Sequence, residues 1–142
     1  MTRDALMAWV AAYERAWRAP GLRALDDVFT DDAVYRMSPY GPEVRGRDAL
    51  GRLWERERQG PDEVFTMSAA VVACDVDTGV VRVEVRYEEP VREEFRDLWV
   101  VRFAPDGRCV EFEEWWHTPS GAATGAAGPG RLATSRRRGA TW

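Results

Sequence analysis

The chain has 142 residues, a hydrophobic fraction of 45%, a charged fraction of 31% and a net charge of -4. This size and balance predict one globular domain with one core and exclude a disordered chain. The negative charge provides no basic surface for nucleic acid or an anionic membrane, so we expect a small uncharged or cationic partner. No apolar run approaches a membrane span and the first residues do not form a signal peptide, which predicts a cytoplasmic protein.

Helices dominate the predicted first half. Apolar residues recur in the first helix, from Thr2 to the stop at Pro20-Gly21, at the spacing of an amphipathic helix. They are Leu6, Trp9, Val10, Tyr13 and Trp17. The segment LRALDDVF predicts a shorter second helix, DDAVYRM predicts a strand, and a third helix extends from about Asp48 to Arg58.

The second half changes to the period of β-strands. Four segments predict an antiparallel meander: VFTMSAAVVACDV, GVVRVEVRYEE, EEFRDLWVVRFA and RCVEFEEWWH. In the second segment valines alternate with arginine and glutamate, so one sheet face is apolar and the other is charged. Helices followed by a curled antiparallel sheet predict an α+β domain.

The last 23 residues, 120–142, differ in composition from the rest. They are rich in Gly and Ala, have no apolar period and contain the run Arg136, Arg137, Arg138. We expect a flexible tail after one folded domain of residues 1–119.

The last predicted hairpin decides which acidic side chains face the core. With Asp106-Gly107 as a two-residue turn, Arg102 lies opposite Glu111, and a one-residue slip would lose this match of charges. By the period of two, Asp97 and Glu114 then lie on the apolar face. Their companions on that face are Trp99, Val101, Phe103, Val110, Phe112 and Trp116. The other face carries Arg96, Arg102, Glu111, Glu113, Trp115 and His117.

Asp97 and Glu114 are thus predicted to be diagonal neighbours beneath the helices, roughly 7–8 Å apart. Burying two carboxylates is costly unless they meet an arginine, share a proton or line a wet cavity. Desolvation and mutual repulsion favour the protonated form of one of them, which is the condition for a general acid beside a general base. The alternative is an internal ion pair with Arg36, or a sheet end open to water.

The order of elements is that of a known superfamily, and three segments carry the likeness: AAYERAW, FTDDAVYRMSPYGPEVRGRDALGRLW and FRDLWVVRFAPDGRCVEFEEW. They resemble the nuclear transport factor 2-like superfamily and, within it, the SnoaL-like polyketide cyclase branch. The resemblance covers about residues 4 to 118. It implies a cone-shaped, curved mixed sheet around the N-terminal helices, an apolar pocket at the wide end and a homodimer through the outer sheet face. Since this architecture carries many activities, function depends on the pocket residues.

The resemblance also implies roles for single residues. Tyr13 matches the oxyanion-binding tyrosine of ketosteroid isomerases, whereas their two aspartates fall on Ser38 and Trp99, so that apparatus is incomplete. Limonene-type epoxide hydrolases use an aspartate, arginine and aspartate set, of which a looser version with Asp97 and Arg36 survives.

The predicted function is acid/base catalysis, without a cofactor, on a hydrophobic carbonyl-bearing intermediate of secondary metabolism. SnoaL-like cyclases are described as using an inward carboxylate, and Asp97 or Glu114 would fill that role while Tyr13 stabilises an enolate. The reaction would be of cyclase, isomerase or dehydratase type. The alternatives are a non-catalytic binding module for an apolar ligand or protein partner, and a protein that chiefly assembles through its outer face.

Further pocket residues are predicted from their position and their aromatic character. The candidates for substrate binding are Trp17, Arg36, Ser38, Tyr40, Trp54, Tyr87, Trp99, Phe112 and Trp116. The rings suit a flat hydrophobic ligand, and core packing is the competing role for each ring, above all for Trp54.

The sequence shows no set of metal ligands. Cys74 and Cys109 lack metal-ligand spacing and are expected to be buried free thiols. His117, the only histidine, is expected to face outward without a chemical role.

Overall fold

The computed structural model describes residues 1–58 and 62–119, which form three helices and one sheet. The helices are α1 (Arg3–Arg18), α2 (Leu25–Val28) and α3 (Arg47–Glu57). The hydroxyl of Thr2 caps α1 by accepting a hydrogen bond from the Ala5 amide at 3.1 Å. None of the described helices is long and apolar enough to cross a membrane. The predicted tail, residues 120–142, lies outside the described residues.

Six strands form one curved mixed sheet. They are β1 (Phe29–Arg36), β2 (Glu43–Arg45), β3 (Val64–Cys74), β4 (Thr78–Glu89), β5 (Glu93–Phe103) and β6 (Cys109–His117). The spatial order is β2-β1-β6-β5-β4-β3, in which β1 is parallel to β6 and the other neighbouring pairs are antiparallel. This sheet and its covering helices confirm the predicted α+β fold.

Two elements of the first half differ from the prediction. The second helix has only four residues, Leu25–Val28, because the fully buried Phe29 already begins β1. No strand is predicted at β2, which has three residues and pairs with β1. Three residues are too few for an alternating pattern to stand out in a sequence, so the pairing with β1 defines this strand.

The core lies between α1 and the inner face of the sheet. The predicted stripe of α1 is buried along its whole length, from Leu6 to Trp17. The alternation predicted for β4 is also confirmed, because Val81, Val83 and Val85 are buried while the charged residues between them are exposed. The apolar inner face and the charged outer face therefore follow from the period of two.

The β5–β6 hairpin has the predicted register although its turn differs from the prediction. Arg102 pairs with Glu111 as predicted. The turn is one residue longer than the predicted pair, and Gly107 within it has a φ of 89°, which favours glycine. A bulge at Val110 then shifts the pairing by one residue, so the two irregularities cancel. The bulge turns Cys109 inward and leaves Val110 half-buried, which corrects the predicted inward position of Val110.

Candidate active site

A small hollow lies between α1 and the inner face of the sheet. Its volume is about 30 Å³, which is room for about one water molecule. Its wall is formed by Tyr13, Trp17, Phe65, Met67, Val85, Tyr87, Asp97, Trp99 and Glu114. The three residues predicted to be catalytic, Tyr13, Asp97 and Glu114, therefore come together in one place.

The two inward carboxyl groups come from neighbouring strands. Asp97 on β5 is 3% exposed and Glu114 on β6 is 4% exposed. Glu114 pairs with Trp99, which lies two residues from Asp97 on the same face, as the predicted register requires. The indole Nε1 of Trp99 donates a hydrogen bond to Oδ2 of Asp97 at 3.4 Å. Trp99 therefore orients one of the two acids.

Tyr13 is positioned by a second tyrosine. Its hydroxyl lies 3.0 Å from the hydroxyl of Tyr35 on β1, and its ring centroid lies 4.5 Å from that of Trp99. Both tyrosines are buried. Sequence reasoning did not place Tyr35 in the site, although the shared parity of Tyr35 and Met37 in the segment DDAVYRM was the available signal.

Three of the aromatic residues predicted to bind substrate line the hollow: Trp17, Tyr87 and Trp99. The Trp17 ring is parallel to that of Tyr13, with centroids 6.5 Å apart. Its Nε1 donates a hydrogen bond to Oε1 of Glu63 at 2.8 Å. Trp17 thus connects α1 to the segment that leads into β3.

Sequence reasoning missed the part of the wall that β3 and β4 supply. Phe65 and Met67 lie two residues apart on β3, and Val85 on β4 pairs with Met67. The alternation along VFTM was the signal for the first two residues. Val85 belongs to the predicted apolar face, but that pattern does not show which residue of the face borders a cavity.

Two predicted pocket residues are core residues outside the wall of the hollow. Trp54 is 1% exposed, and its ring meets those of Tyr13 and Trp17 edge to face at 5.1 and 4.8 Å. Phe112 is fully buried and stacks on Tyr35 with centroids 4.6 Å apart. Phe112 also stacks on Tyr13 with centroids 5.6 Å apart, so both rings pack against residues of the wall without forming part of it.

Ser38, Tyr40 and Trp116 are also absent from the wall. Ser38 is buried in the turn after β1, where its carbonyl accepts a hydrogen bond from the Gly41 amide at 3.1 Å. Tyr40 is 96% exposed. Trp116 is half-buried and packs edge-on against Phe95 at 6.0 Å. Their predicted role in substrate binding has no support in the lining of this hollow.

Arg36, the alternative internal partner of the acids, belongs to a surface network. Its guanidinium lies 2.7 Å from Glu43 and 3.8 Å from Glu113. The hydrogen bonds that Glu43 accepts from Arg36 and from Arg45 lower the pKa of its carboxyl group. These contacts count against the alternative ion pair of Arg36 with the inner acids, and they correct its predicted pocket role and the looser set with Asp97.

Other candidate reactive groups lie away from the hollow. Cys74 is half-buried, in contrast to the prediction, and Cys109 is buried as predicted. Burial raises the pKa of the Cys109 thiol. His117 is exposed, as predicted. Within residues 1–58 and 62–119, no group of three or more His, Cys, Asp or Glu side chains is placed to hold a metal ion.

The fold and the hollow together define an α+β cone protein of the nuclear transport factor 2-like superfamily with an acid pair in its interior. A sequence profile described as the SnoaL-like domain matches residues 10–112, which is most of the chain. The protein belongs to the SnoaL-like family. A search of curated proteins found no match.

Several solved structures have the same fold. One is SalBIII, an epoxide hydrolase/cyclase-like enzyme with a role in pyran ring formation in the polyether salinomycin. It is 18% identical with a TM-score of 0.63, over 78% of this chain and 89% of its own. A Mycobacterium tuberculosis epoxide hydrolase of the LEH-like type is 18% identical with a TM-score of 0.61, over 81% and 84%. A computationally designed 17-OHP binder is 16% identical with a TM-score of 0.66, over 82% and 93%. At these identities the likeness establishes the fold alone.

Proposed function

We propose that the protein is an enzyme that uses acid/base catalysis on a hydrophobic, carbonyl-bearing small molecule. The observation that supports this proposal is the placement of two buried carboxyl groups, Asp97 and Glu114, with the Tyr13 hydroxyl group in one aromatic hollow. Proton transfer at carbon needs a base and an oxyanion partner held together in a site with little water. Family membership and the cyclase- and epoxide hydrolase-like structures agree with small-molecule chemistry.

In the mechanism, one carboxylate removes a proton from the carbon next to the carbonyl group. The C–H electron pair forms a carbon–carbon double bond, and the carbonyl oxygen takes the negative charge of an enolate. Tyr13 donates a hydrogen bond to that oxygen. In this role the Tyr13 hydroxyl accepts the 3.0 Å hydrogen bond that it shares with Tyr35, so Tyr35 is the donor. The enolate then continues in one of three ways. Return of the proton from the carboxyl group to another carbon gives an isomerisation. Attack of the enolate carbon on a second carbonyl group of the same molecule, with the proton delivered to the new alkoxide oxygen, gives a cyclisation, and departure of a β-hydroxyl group, which takes the proton and leaves as water, gives a dehydration.

The lining restricts the substrate to a flat and uncharged molecule. The rings of Trp17, Tyr87 and Trp99 offer aromatic faces to a planar ligand, and each good ring contact adds roughly 0.5–1.5 kcal/mol. The two acidic groups disfavour an anionic ligand. An intermediate of secondary metabolism with a ketone on a ring system fits this description.

Hydrogen–deuterium exchange tests the proposed proton transfer without knowledge of the natural substrate. Tetralone, a neutral flat ketone, exchanges its acidic C–H protons slowly in heavy water, and NMR follows the loss of signal. We expect the protein to accelerate this exchange and D97N or E114Q to slow the accelerated rate by roughly 10²–10⁴-fold. E113Q on the outer face is the matched control. Folded D97N and E114Q proteins with undiminished exchange would exclude both acids from catalysis.

A non-catalytic binding module is the second candidate, and a designed protein of the same fold supports it. The computationally designed 17-OHP binder is a binding protein of this fold. In that case the protein binds a neutral apolar ligand and produces no exchange above the buffer rate. Ligand binding with D97N and E114Q unchanged in both assays would favour the module.

The outer face of the sheet is proposed to form a homodimer in the cytoplasm. Leu98 and Trp115 pair across β5 and β6 and are 40% and 45% exposed, and Val100 beside them is 38% exposed. Arg102 and Glu111 lie on the same face, so a two-fold axis would bring opposite charges together around an apolar centre. Light scattering should give twice the chain mass for the natural protein and the single mass for W115R. A monomeric natural protein would exclude the dimer.

A further inference from the structure

A second cavity lies beside the hollow, and Trp17 belongs to the walls of both. This outer cavity has a volume of about 320 Å³ and is formed by the end of α1, the residues after it and the end of α3. Its wall consists of Trp17, Arg18, Ala19, Pro20, Gly21, Glu55 and Arg58. Among the described residues, Trp17 alone lines both spaces.

Neither space combines the volume of a ligand site with the acids. Sites for small molecules usually have roughly 300–1,000 Å³, whereas the hollow has about 30 Å³. The acids therefore line a space that is too small for a ligand, and the larger space next to it lacks the acids. Joined, the two spaces lie within the range of a ligand site and have the acids in their common wall.

The backbone around Trp17 is anchored separately from its side chain. The Arg58 guanidinium donates hydrogen bonds to the carbonyl oxygens of Ala19 and Gly21 at 2.7 and 2.8 Å. The Arg18 guanidinium lies 3.8 Å from the centroid of the Phe65 ring and donates to the Phe65 carbonyl oxygen at 3.0 Å. These contacts fix the end of α1 to α3 and β3, so the indole has a fixed base about which to rotate.

The indole is held in its observed position by contacts at its edge and on its ring. Nε1 donates to Glu63 at 2.8 Å in a half-buried location, and the ring meets Trp54 at 4.8 Å. The partner carboxylate of Glu63 lies outside the walls of both spaces. Loss of this carboxylate therefore weakens the observed position of Trp17 without altering the lining.

We propose that Trp17 is a movable wall of the ligand site. Rotation of the indole breaks its hydrogen bond to Glu63 and joins the hollow to the outer cavity. The joined site takes a flat, uncharged aromatic molecule, whose polar end reaches Asp97 and Glu114 while its rings lie in the space that the indole vacated. This inference deepens the proposed function and rests on it for the assumption of a small-molecule ligand.

Binding of N-phenyl-naphthylamine, a neutral fluorescent aromatic amine, tests the proposal. If binding requires the open position, a change that weakens the closed position tightens binding by the same factor. Loss of one hydrogen bond to a carboxylate predicts a dissociation constant roughly 5- to 10-fold lower in E63A than in the natural protein. D62A, which changes the preceding exposed residue, is the matched control and should bind as the natural protein does. Equal or weaker binding by folded E63A would overturn the proposal, as would failure of both proteins to bind.

Fluorine NMR of the natural sequence, labelled with fluorotryptophan, provides a test that does not depend on the folding of E63A. The resonance that disappears in W17F belongs to Trp17. We expect it to shift at saturating N-phenyl-naphthylamine, while the resonance of Trp115 on the outer face stays in place. A Trp17 resonance that does not move in the saturated protein would overturn the movable wall.

The outcomes separate this inference from the proposed reaction. If the Trp17 resonance moves but the protein does not accelerate exchange in tetralone, the movable wall is supported and the proposed enzyme activity is excluded. If the protein accelerates exchange through the two acids while the Trp17 resonance does not move, the enzyme activity is supported and the movable wall is excluded.

Discussion

Asp97 and Glu114 are diagonal neighbours on the inner face of the β5–β6 hairpin. Each lies directly opposite a tryptophan of the other strand: Asp97 opposite Trp116, and Glu114 opposite Trp99. Diagonal positions of an antiparallel pair are roughly 7–8 Å apart, and both side chains are at most 4% exposed. Both carboxyl groups line the same hollow. The proposed mechanism therefore treats the pair as one catalytic unit.

The first prediction is that the effects of replacing Asp97 and Glu114 on the exchange rate are not additive. D97N and E114Q should each slow the accelerated exchange of tetralone by roughly 10²–10⁴-fold, because a group that works in a unit disables its partner when it is removed. The double variant D97N/E114Q should be no slower than the slower single variant. NMR exchange rates of the four proteins complete the cycle.

E113Q, one residue from Glu114 on the outer face, serves as the control for the hairpin itself. Its exchange rate should equal that of the natural protein. Losses that multiply in the double variant would show two independent roles and would argue against the unit.

The sequence predicted the position of this pair because several local patterns agree on one register. The match of Arg102 to Glu111 and the alternation along both strands survive a turn that is one residue longer than expected. The compensating bulge at Val110 was not foreseeable, since nothing in a single sequence indicates which residue a strand leaves unpaired.

The size of the hollow was beyond sequence analysis for a different reason. It depends on how closely the rings of Trp17 and Tyr13 approach the side chains of β3, which results from sheet curvature and from packing over the whole core. The contacts of Arg36 were equally beyond sequence analysis, because its partner Glu43 lies on a strand too short to predict. Residues in long alternating strands were thus predictable, and contacts between separate elements were not.

The second prediction concerns the two tyrosines. Y13F should slow the exchange of tetralone by roughly 10²-fold, since it removes the donor to the enolate oxygen. Y35F should slow it by a smaller factor of roughly 10, because Tyr35 positions and polarises Tyr13 without touching the substrate. Exchange rates together with the dissociation constant of N-phenyl-naphthylamine separate catalysis from binding.

Both tyrosine variants keep the aromatic ring, so the ring contacts that stabilise the core and line the hollow are unchanged. Circular dichroism and probe binding should be close to those of the natural protein in each case. If Y35F were slower than Y13F, Tyr35 rather than Tyr13 would be the donor to the substrate.

The third prediction is that Arg58 stabilises the fold more than its surface neighbours do. R58A leaves the carbonyl oxygens of Ala19 and Gly21 without this donor and removes a side chain that is only 10% exposed. We expect the free energy of unfolding to fall by about 2–3 kcal/mol, measured by urea titration of tryptophan fluorescence. R56A, at an exposed position in the last turn of α3, should change stability by less than about 0.5 kcal/mol. Equal effects of the two variants would show that the Arg58 contacts contribute little.

The fourth prediction is a decline in stability at alkaline pH that originates at Cys109. This thiol is fully buried, and burial raises its pKa above that of a thiol in the unfolded chain. Because the pKa of the thiol is raised in the folded state, its contribution to the free energy of unfolding is fully present below the unfolded pKa of about 8.5. This contribution is lost as the pH rises beyond that value. The unfolded state then releases a proton that the folded state retains, so the free energy of unfolding should decrease by about 2 kcal/mol between about pH 8 and pH 10.

Replacement by serine isolates this effect from other alkaline titrations. The Cys109 thiol donates a hydrogen bond to the Glu111 carbonyl oxygen at 3.2 Å, and a serine hydroxyl retains the donor but does not ionise in this range. Urea titrations at several pH values should therefore give a smaller alkaline decline for C109S than for the natural protein. C74S changes the half-buried cysteine and should leave a decline as large as that of the natural protein. If C109S and the natural protein lost stability in parallel, ionisation of Cys109 would not be the source, because the serine variant has no thiol at this position.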